Sequence, residues 1–365
     1  MRAETQRALD KGSARERLSG DEALALFELL TPGGLFALER AAFRHRSARH
    51  SRVVTFVSNV QINPSNLCEG SCRFCRYAAK EGDEHAYSMT EEEILERIRD
   101  AQAEEVHVVG GMNSVWPFER SRDLISLVRR RWPGIHIKAF TAVEVDYFAR
   151  EAGISTLAVL DALKAAGVDA LPGGGAENFS HRIRRRHCPD KLSPEGWLDI
   201  HREAHGLGMT TNATMLYGLD ETPGERVDHL LALRELQDAT GGFSCFIPLP
   251  YQPGADAARL AGPSPVLDLG IVAVSRLVLD NFDHIKAYWP MMGLETAAAA
   301  FSFGADDLDG TIGEERIAHA AGATTPKAVS RERMVDTIRS GGFEPVERDG
   351  RFHPIVRGSN RRRHV

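Results

Sequence analysis

The sequence predicts an α/β fold built as a TIM-type (βα) barrel, and three observations lead there. Strand-like apolar runs begin at 53–62 and recur with ends near Val109, Phe140, Leu171, Tyr217, Ile247 and Tyr288. Long amphipathic helical stretches separate most of them, such as Pro194 to Leu207 and Pro223 to Ala239. The irregular residues then fall after the strands and not before them. These are Cys68 to Cys75, Gly110-Gly111, Thr141 to Glu144, Gly173-Gly174-Gly175 with Glu177, Tyr217-Gly218, Pro248-Leu249-Pro250 and Tyr288-Trp289. Loops after the strands build the active site of an α/β barrel, so these segments should converge. The alternative architecture is an incomplete barrel of six strands with a C-terminal cap.

Residues 1–52 read as an N-terminal helical extension, with an amphipathic stretch from Asp21 to Leu30 and a turn at Pro32-Gly33-Gly34. The barrel is expected over 53–304. Behind its cysteine loop, Thr90 followed by Glu93 is the signature of a capped helix start. A C-terminal helical cap is expected over 305–356, with helices around Glu314 to Ala320 and after Ser330, and 357–365 reads as a mobile basic tail.

Composition narrows the class. With 42% hydrophobic and 26% charged residues the chain has material for a sizeable core, which excludes general disorder. A net charge of -6 argues against a nucleic-acid coat. No apolar run approaches the ~20 residues of a membrane span, and the polar start MRAETQRALDKGSARERL lacks the apolar centre of a secretory signal. The reading is a cytoplasmic protein without membrane or nucleic-acid partners. Five cysteines are too few for a disulfide scaffold, and three of them crowd together.

Cys68, Cys72 and Cys75 form C-x3-C-x2-C, a loop able to hold three corners of one [4Fe-4S] cubane. The fourth iron stays open, as in metal sites meant for chemistry. The amino and carboxylate groups of S-adenosylmethionine (SAM) would chelate it, and one electron from the cluster would break the sulfur to C5′ bond. The competing reading is a structural zinc site with Cys188, Cys245 or a histidine as fourth ligand. Phe74 is placed to stack on adenine or to pack the loop. Gly110 and Gly111 allow backbone to approach the SAM ammonium, or make a plain turn. Glu177 offers a carboxylate to ribose hydroxyls or the amino group, with helix capping as the alternative. No segment matches G-x-x-x-x-G-K-[ST], so nucleotide hydrolysis is unsupported.

His-Ile-Lys-Ala occurs twice, at 136–139 and 284–287. Strand alternation turns Ile137, Ala139, Ile285 and Ala287 outward, and so His136, Lys138, His284 and Lys286 inward. Four such groups need anionic company, either a carboxylate substrate or internal acids such as Glu144 or Asp146. His201 and His205 have zinc-compatible spacing but lack the glutamate of H-E-x-x-H, and read as ordinary histidines.

The cysteine loop, EVHVVGG, HIKAFTAVEVDYF, LPGGGAE, TNATMLYG, RVDHLLALRELQDATGGFSCFIPLP, SRLVLDNFDHIKAYW and SFGADDLDGT together resemble the aminodeoxyfutalosine synthases, radical SAM enzymes of the futalosine route to menaquinone. The resemblance covers roughly Val53 to Ser340. It implies a radical SAM barrel and SAM consumed as co-substrate. It further implies addition of the 5′-deoxyadenosyl radical to 3-[(1-carboxyvinyl)oxy]benzoate, a dicarboxylate, with decarboxylation to 6-amino-6-deoxyfutalosine. A flavodoxin or ferredoxin is the expected reductant. Cys68, Cys72 and Cys75 carry over as cluster ligands, and Phe74, Gly110, Gly111 and Glu177 as SAM contacts. Arg76-Tyr77 and Met112-Asn113-Ser114 depart from the family pattern. Rival readings are the sister cyclase of the pathway, which shares LPGGGAE, other radical SAM enzymes such as deazaflavin-precursor synthases, and a non-catalytic metal scaffold.

Overall fold

The apolar run at 53–62 is two strands in the computed structural model, which describes residues 1–253 and 262–356. β1 (Val53–Val57) and β2 (Asn59–Ile62) are separated by Ser58 alone. They are followed by β3 (Glu105–Val108), β4 (His136–Ala139), β5 (Ala170–Leu171), β6 (Thr210–Tyr217), β7 (Phe243–Pro250), β8 (His284–Ala287), β9 (Asp307–Leu308) and β10 (Glu344–Arg348). Neighbours run β10-β1-β9-β8-β7-β6-β5-β4-β3-β2 and every pairing is parallel. Because β1 pairs with β9 while β2 pairs with β3, one covalent run serves both ends of the sheet. The sheet therefore curls into a barrel whose ends meet through the backbone at Ser58, with no ladder of their own.

Helices lie between the strands, as parallel crossovers require. The Thr90/Glu93 signature is a capping box on the helix Glu91–Ala101. The expected stretches fold as Pro194–Gly206 and Pro223–Thr240, each with proline in its first turn. At the N-terminus, Ala3–Ser13, Gly20–Phe27 and Pro32–His50 pack on Pro265–Val278, and Arg46 reaches through to donate 2.8 Å to the Ala305 carbonyl. The extension is thus bolted to the barrel by a buried arginine.

Residues 305–356 do more than cap. They supply β9 and β10, strands too short or too polar to stand out in the sequence, beside the expected helix Arg331–Ser340. The helix expected from Glu314 is the single turn Ile317–Ala320. The tail 357–365 lies outside the described residues. No helix among the described residues is long and apolar enough to cross a membrane.

The four inward-facing basic residues do not meet a ligand cavity, which corrects the expectation of an anionic substrate beside them. Lys138 Nζ stands 3.1 and 3.0 Å from the Glu105 oxygens. Lys286 pairs with Asp307 at 2.6 Å and Asp309 at 3.0 Å, and Arg348 grips Asp307 with two bonds of 2.7 and 2.8 Å. His284 Nδ1 bonds Asp306 at 2.5 Å while its ring stacks 4.0 Å from Phe352, and the His136 ring packs against Gly350. The internal acids are therefore Glu105, Asp306, Asp307 and Asp309. Neither Glu144, which caps a helix, nor Asp146, paired with Arg150, takes part. Burial would raise Glu105, yet Lys138 and its neighbours hold it at about 2. These pairs, together with residues 349–353, fill the N-terminal end of the barrel.

Candidate active site

At the opposite end the strand-following loops converge on one cavity of about 320 Å³. Cys68, Cys72, Cys75, Phe74, Gly110, Gly111 and Glu177 all line it, and Thr141, Glu144, Gly173, Leu249 and Tyr288 join them. Tyr217, Gly218, Pro248, Pro250 and Trp289, expected with them, are not among the lining residues. Trp289 is buried behind the wall and donates 3.0 Å to the Gly310 carbonyl.

The cysteine loop is held by backbone bonds from several elements. Cys68 N donates to Ala79 O at 3.0 Å, Glu69 N to Met112 O at 2.7 Å, and Arg73 N to His187 O at 2.8 Å. Ser71 N donates to Asp190 Oδ2 at 2.9 Å. All three cysteines are half-buried free thiols. Burial pushes the Cys72 thiol up to about 12, so a metal binding there must displace its proton.

Their spread favours a cluster over a single ion. Among the described residues, His50, His284 and Asp306 form the one group of three metal-ligand types whose ligand atoms all lie within 4.8 Å of one another. The three cysteine sulfurs do not all lie within that distance of one another. A Zn–S bond of about 2.3 Å would bring thiolates of one tetrahedral site to roughly 3.8 Å apart. A cubane holds its cysteine sulfurs farther apart, so the donor set fits a [4Fe-4S] cluster. His201 and His205 are engaged with the chain itself. Both bond the Thr211 hydroxyl at 2.8 Å.

The two glycines have separate duties. Gly110 N donates 2.8 Å to Glu144 Oε1, whose other oxygen caps its helix at Thr141. Gly111 backs the first cysteine, since a Cβ there would stand 3.0 Å from Cys68 Cβ and 3.1 Å from its Sγ. Gly111→Ala should therefore push Cys68 out of register and cut iron per chain at least twofold after reconstitution, while Gly134→Ala, whose Cβ would meet nothing within 4 Å, should leave it unchanged. Iron and sulfide assays distinguish the two.

Glu177 does not cap a helix. It is ion-paired with Lys191, whose ammonium also lies 5.3 Å from the Phe74 ring. Burial works against the Lys191 charge, and Glu177 more than restores it. Phe74 borders an apolar corner with Leu216, Leu249, Tyr251 and Met291. Deeper in, the cavity is polar, with Gln61, His107 and Asn212 on its floor side. Burial first, then Lys138, lowers His107 to about 3, which leaves a neutral imidazole whose Nε2 has no partner.

Lys191 and His107 escape sequence reasoning. Lys191 closes the basic stretch HRIRRRHCPDK, where nothing separates it from solvated cations. His107 lies inside EVHVVGG, and its inward direction was available from strand alternation. The departures also resolve. The Tyr77 hydroxyl meets that of Tyr87 inside the loop, whereas Arg76 lines the cavity. Met112 covers Gly70, and Asn113 ties Trp116 N to Gly111 O.

A parallel barrel with C-x3-C-x2-C at the mouth of its C-terminal cavity defines a site of the radical SAM class. Residues 62–233 match the radical SAM superfamily, and residues 240–358 match the CofH/MqnC C-terminal region. The chain is 40% identical over 348 residues to aminodeoxyfutalosine synthase of Thermus thermophilus, covering 93% of each. It is 38% identical to the 5-amino-6-(D-ribitylamino)uracil–L-tyrosine 4-hydroxyphenyl transferase of Methanopyrus kandleri, covering 95% of this chain and 94% of that one. Among solved structures, methylornithine synthase superposes with a TM-score of 0.75 at 19% identity, covering 93% of this chain and 97% of that one, a likeness of fold. The chain belongs to the radical SAM superfamily, in the branch that holds both of these named relatives, and it is a radical SAM enzyme. That membership implies a [4Fe-4S] cluster and SAM.

Proposed function

We propose that the enzyme joins the 5′-deoxyadenosyl group of SAM to the vinyl carbon of 3-[(1-carboxyvinyl)oxy]benzoate and forms 6-amino-6-deoxyfutalosine, with loss of the carboxyl group, for menaquinone biosynthesis. The observation that carries this reading is the 40% identity to the Thermus synthase across nearly all of both chains. When bound at Cys68, Cys72 and Cys75, the cluster supplies the electron that cleaves SAM, delivered to it by a flavodoxin- or ferredoxin-type carrier.

The chain's own residues bind and orient. The apolar corner around Phe74 suits the adenine ring. Lys191 suits the SAM carboxylate, and Glu177 its ammonium or ribose hydroxyls, each held by the other until SAM arrives. Arg76 supplies a cation at the wall for a substrate carboxylate. The neutral His107, with Gln61 and Asn212, offers hydrogen bonds to the substrate's far end and carries no charge of its own to compete with Arg76.

The test is mass spectrometry of the reduced, reconstituted enzyme with SAM and the carboxyvinyloxybenzoate. The adenosyl adduct, smaller than the summed reactants by methionine and the lost carboxyl, is expected. Unreacted benzoate beside free 5′-deoxyadenosine would reject the reading. Turnover of 5-amino-6-(D-ribitylamino)uracil with tyrosine in a parallel tube would move the chain to the reaction named for the Methanopyrus relative.

A further inference from the structure

Lys80 lies outside the cysteine motif, and its side chain is largely exposed, yet its ammonium is fully engaged. Nζ donates to three successive carbonyls, those of Cys68 at 2.8 Å, Glu69 at 2.8 Å and Gly70 at 3.0 Å. An ammonium has three donors, and all three are spent on the segment between the first two cysteines. The base of the lysine is fixed as well, because its own N–H donates 2.7 Å to Asp83 Oδ2.

In a trans peptide the carbonyl and the following N–H point opposite ways. The N–H groups of Glu69, Gly70 and Ser71 are therefore turned from the ammonium. Met112 O accepts the first and Asp190 the third. The Gly70 N–H has no protein acceptor among the described residues. It also sits beside a cluster ligand, since a Cβ on Gly70 would stand 3.5 Å from Cys68 Sγ. Left free, a Cys-Glu-Gly-Ser segment could present carbonyl oxygens to an anionic cluster, which is repulsive. Clamped, it presents an amide hydrogen.

We propose that Lys80 is a positioning residue for the iron–sulfur cluster: by gathering three consecutive carbonyls of the C-x3-C segment it aims the Gly70 N–H at cluster sulfur. The inference rests on the reading of the three cysteines as cluster ligands and is independent of the substrate. Water screens the exposed charge, so the leverage of Lys80 is geometric and not Coulombic. Hydrogen bonds to cluster sulfur raise the reduction potential, and partners beyond the ligands themselves commonly govern metal affinity by about tenfold or more.

The experiment compares wild type, Lys80→Met and Lys80→Arg after identical anaerobic reconstitution. Circular dichroism checks the barrel, iron and sulfide assays give occupancy, and redox titration followed by electron paramagnetic resonance gives the midpoint. Lys80→Met should load about tenfold more slowly, and the clusters it does hold should titrate at a more negative potential. Lys80→Arg, which keeps donors for the carbonyls, should recover most of both. A Lys80→Met protein with wild-type loading rate and midpoint would overturn the proposal, as would equal losses in the arginine variant. None of these readouts needs the benzoate, so failure of the substrate assignment would leave them standing.

Discussion

Cys72→Ala should abolish SAM cleavage and adduct formation to below detection while the barrel melts within about 1 kcal/mol of the parent. The asymmetry follows from where the residue sits. Cys72 lies on a half-buried loop edge and supports no strand, so its removal leaves the core intact. Two thiolates cannot hold the three corners that keep one iron open, and a cluster bound by two would be lost on desalting. Cys245→Ala is the matched control. Cys245 is fully buried on β7, away from the cavity lining, and its variant should retain iron at wild-type stoichiometry. Iron content, the visible absorption of the cluster and product mass read out both variants. Full turnover by Cys72→Ala, or zinc in place of iron in anaerobically purified protein, would overturn the cluster assignment.

The second large effect is on stability. Asp307→Ala should cost about 3–5 kcal/mol, because it leaves Arg348 and Lys286 buried with less than their complement of negative charge. Asp307 and Arg348 are almost wholly buried, so solvent offers little relief. The same network fixes the response to acid. Burial opposes ionisation of Asp307 and Glu105, but Arg348 and Lys286 hold the first well below the ordinary carboxylate range, and Lys138 holds the second at about 2. Folded-state values below unfolded ones mean stability that is fully present above about pH 4 and is lost as pH falls toward 2. Thermal melts from pH 6 down to pH 2 should fall steeply in that window for wild type and less steeply for the variant, which already lacks one of the carboxylates. A variant that melts like the parent at pH 7 would show that the pair contributes nothing net.

The cluster loop and the order of strands and helices are legible in the sequence because both are local. Cysteine spacing is a property of eight consecutive residues, and the Thr90/Glu93 box of four. The direction of Lys138 and Lys286 is legible too, from alternation along one strand. Their partners are not. Lys138 meets Glu105 and Lys286 meets Asp307 only through the registers β3–β4 and β8–β9, which join segments far apart in the chain. Two lysines and two histidines whose acids spacing could not pair correctly therefore left a ligand open where the protein supplies its own counter-charges. Lys191 and Lys80 are hidden for a related reason: each acts through a contact that no periodicity encodes. The two-residue strand β9 carries too little pattern to count, although the acids around it, Asp306, Asp307 and Asp309, turn out to be the missing partners.

The ionic plug and the 349–353 segment beneath it leave the barrel as a shaft sealed at its foot. Among the described residues the cavity lies at the other end, with the cysteines and Gln61, His107 and Asn212 in one lining. Order-of-addition binding is where that shape should tell: a small ligand held at Gln61, His107 and Asn212 should enter more slowly once the cysteine end is occupied.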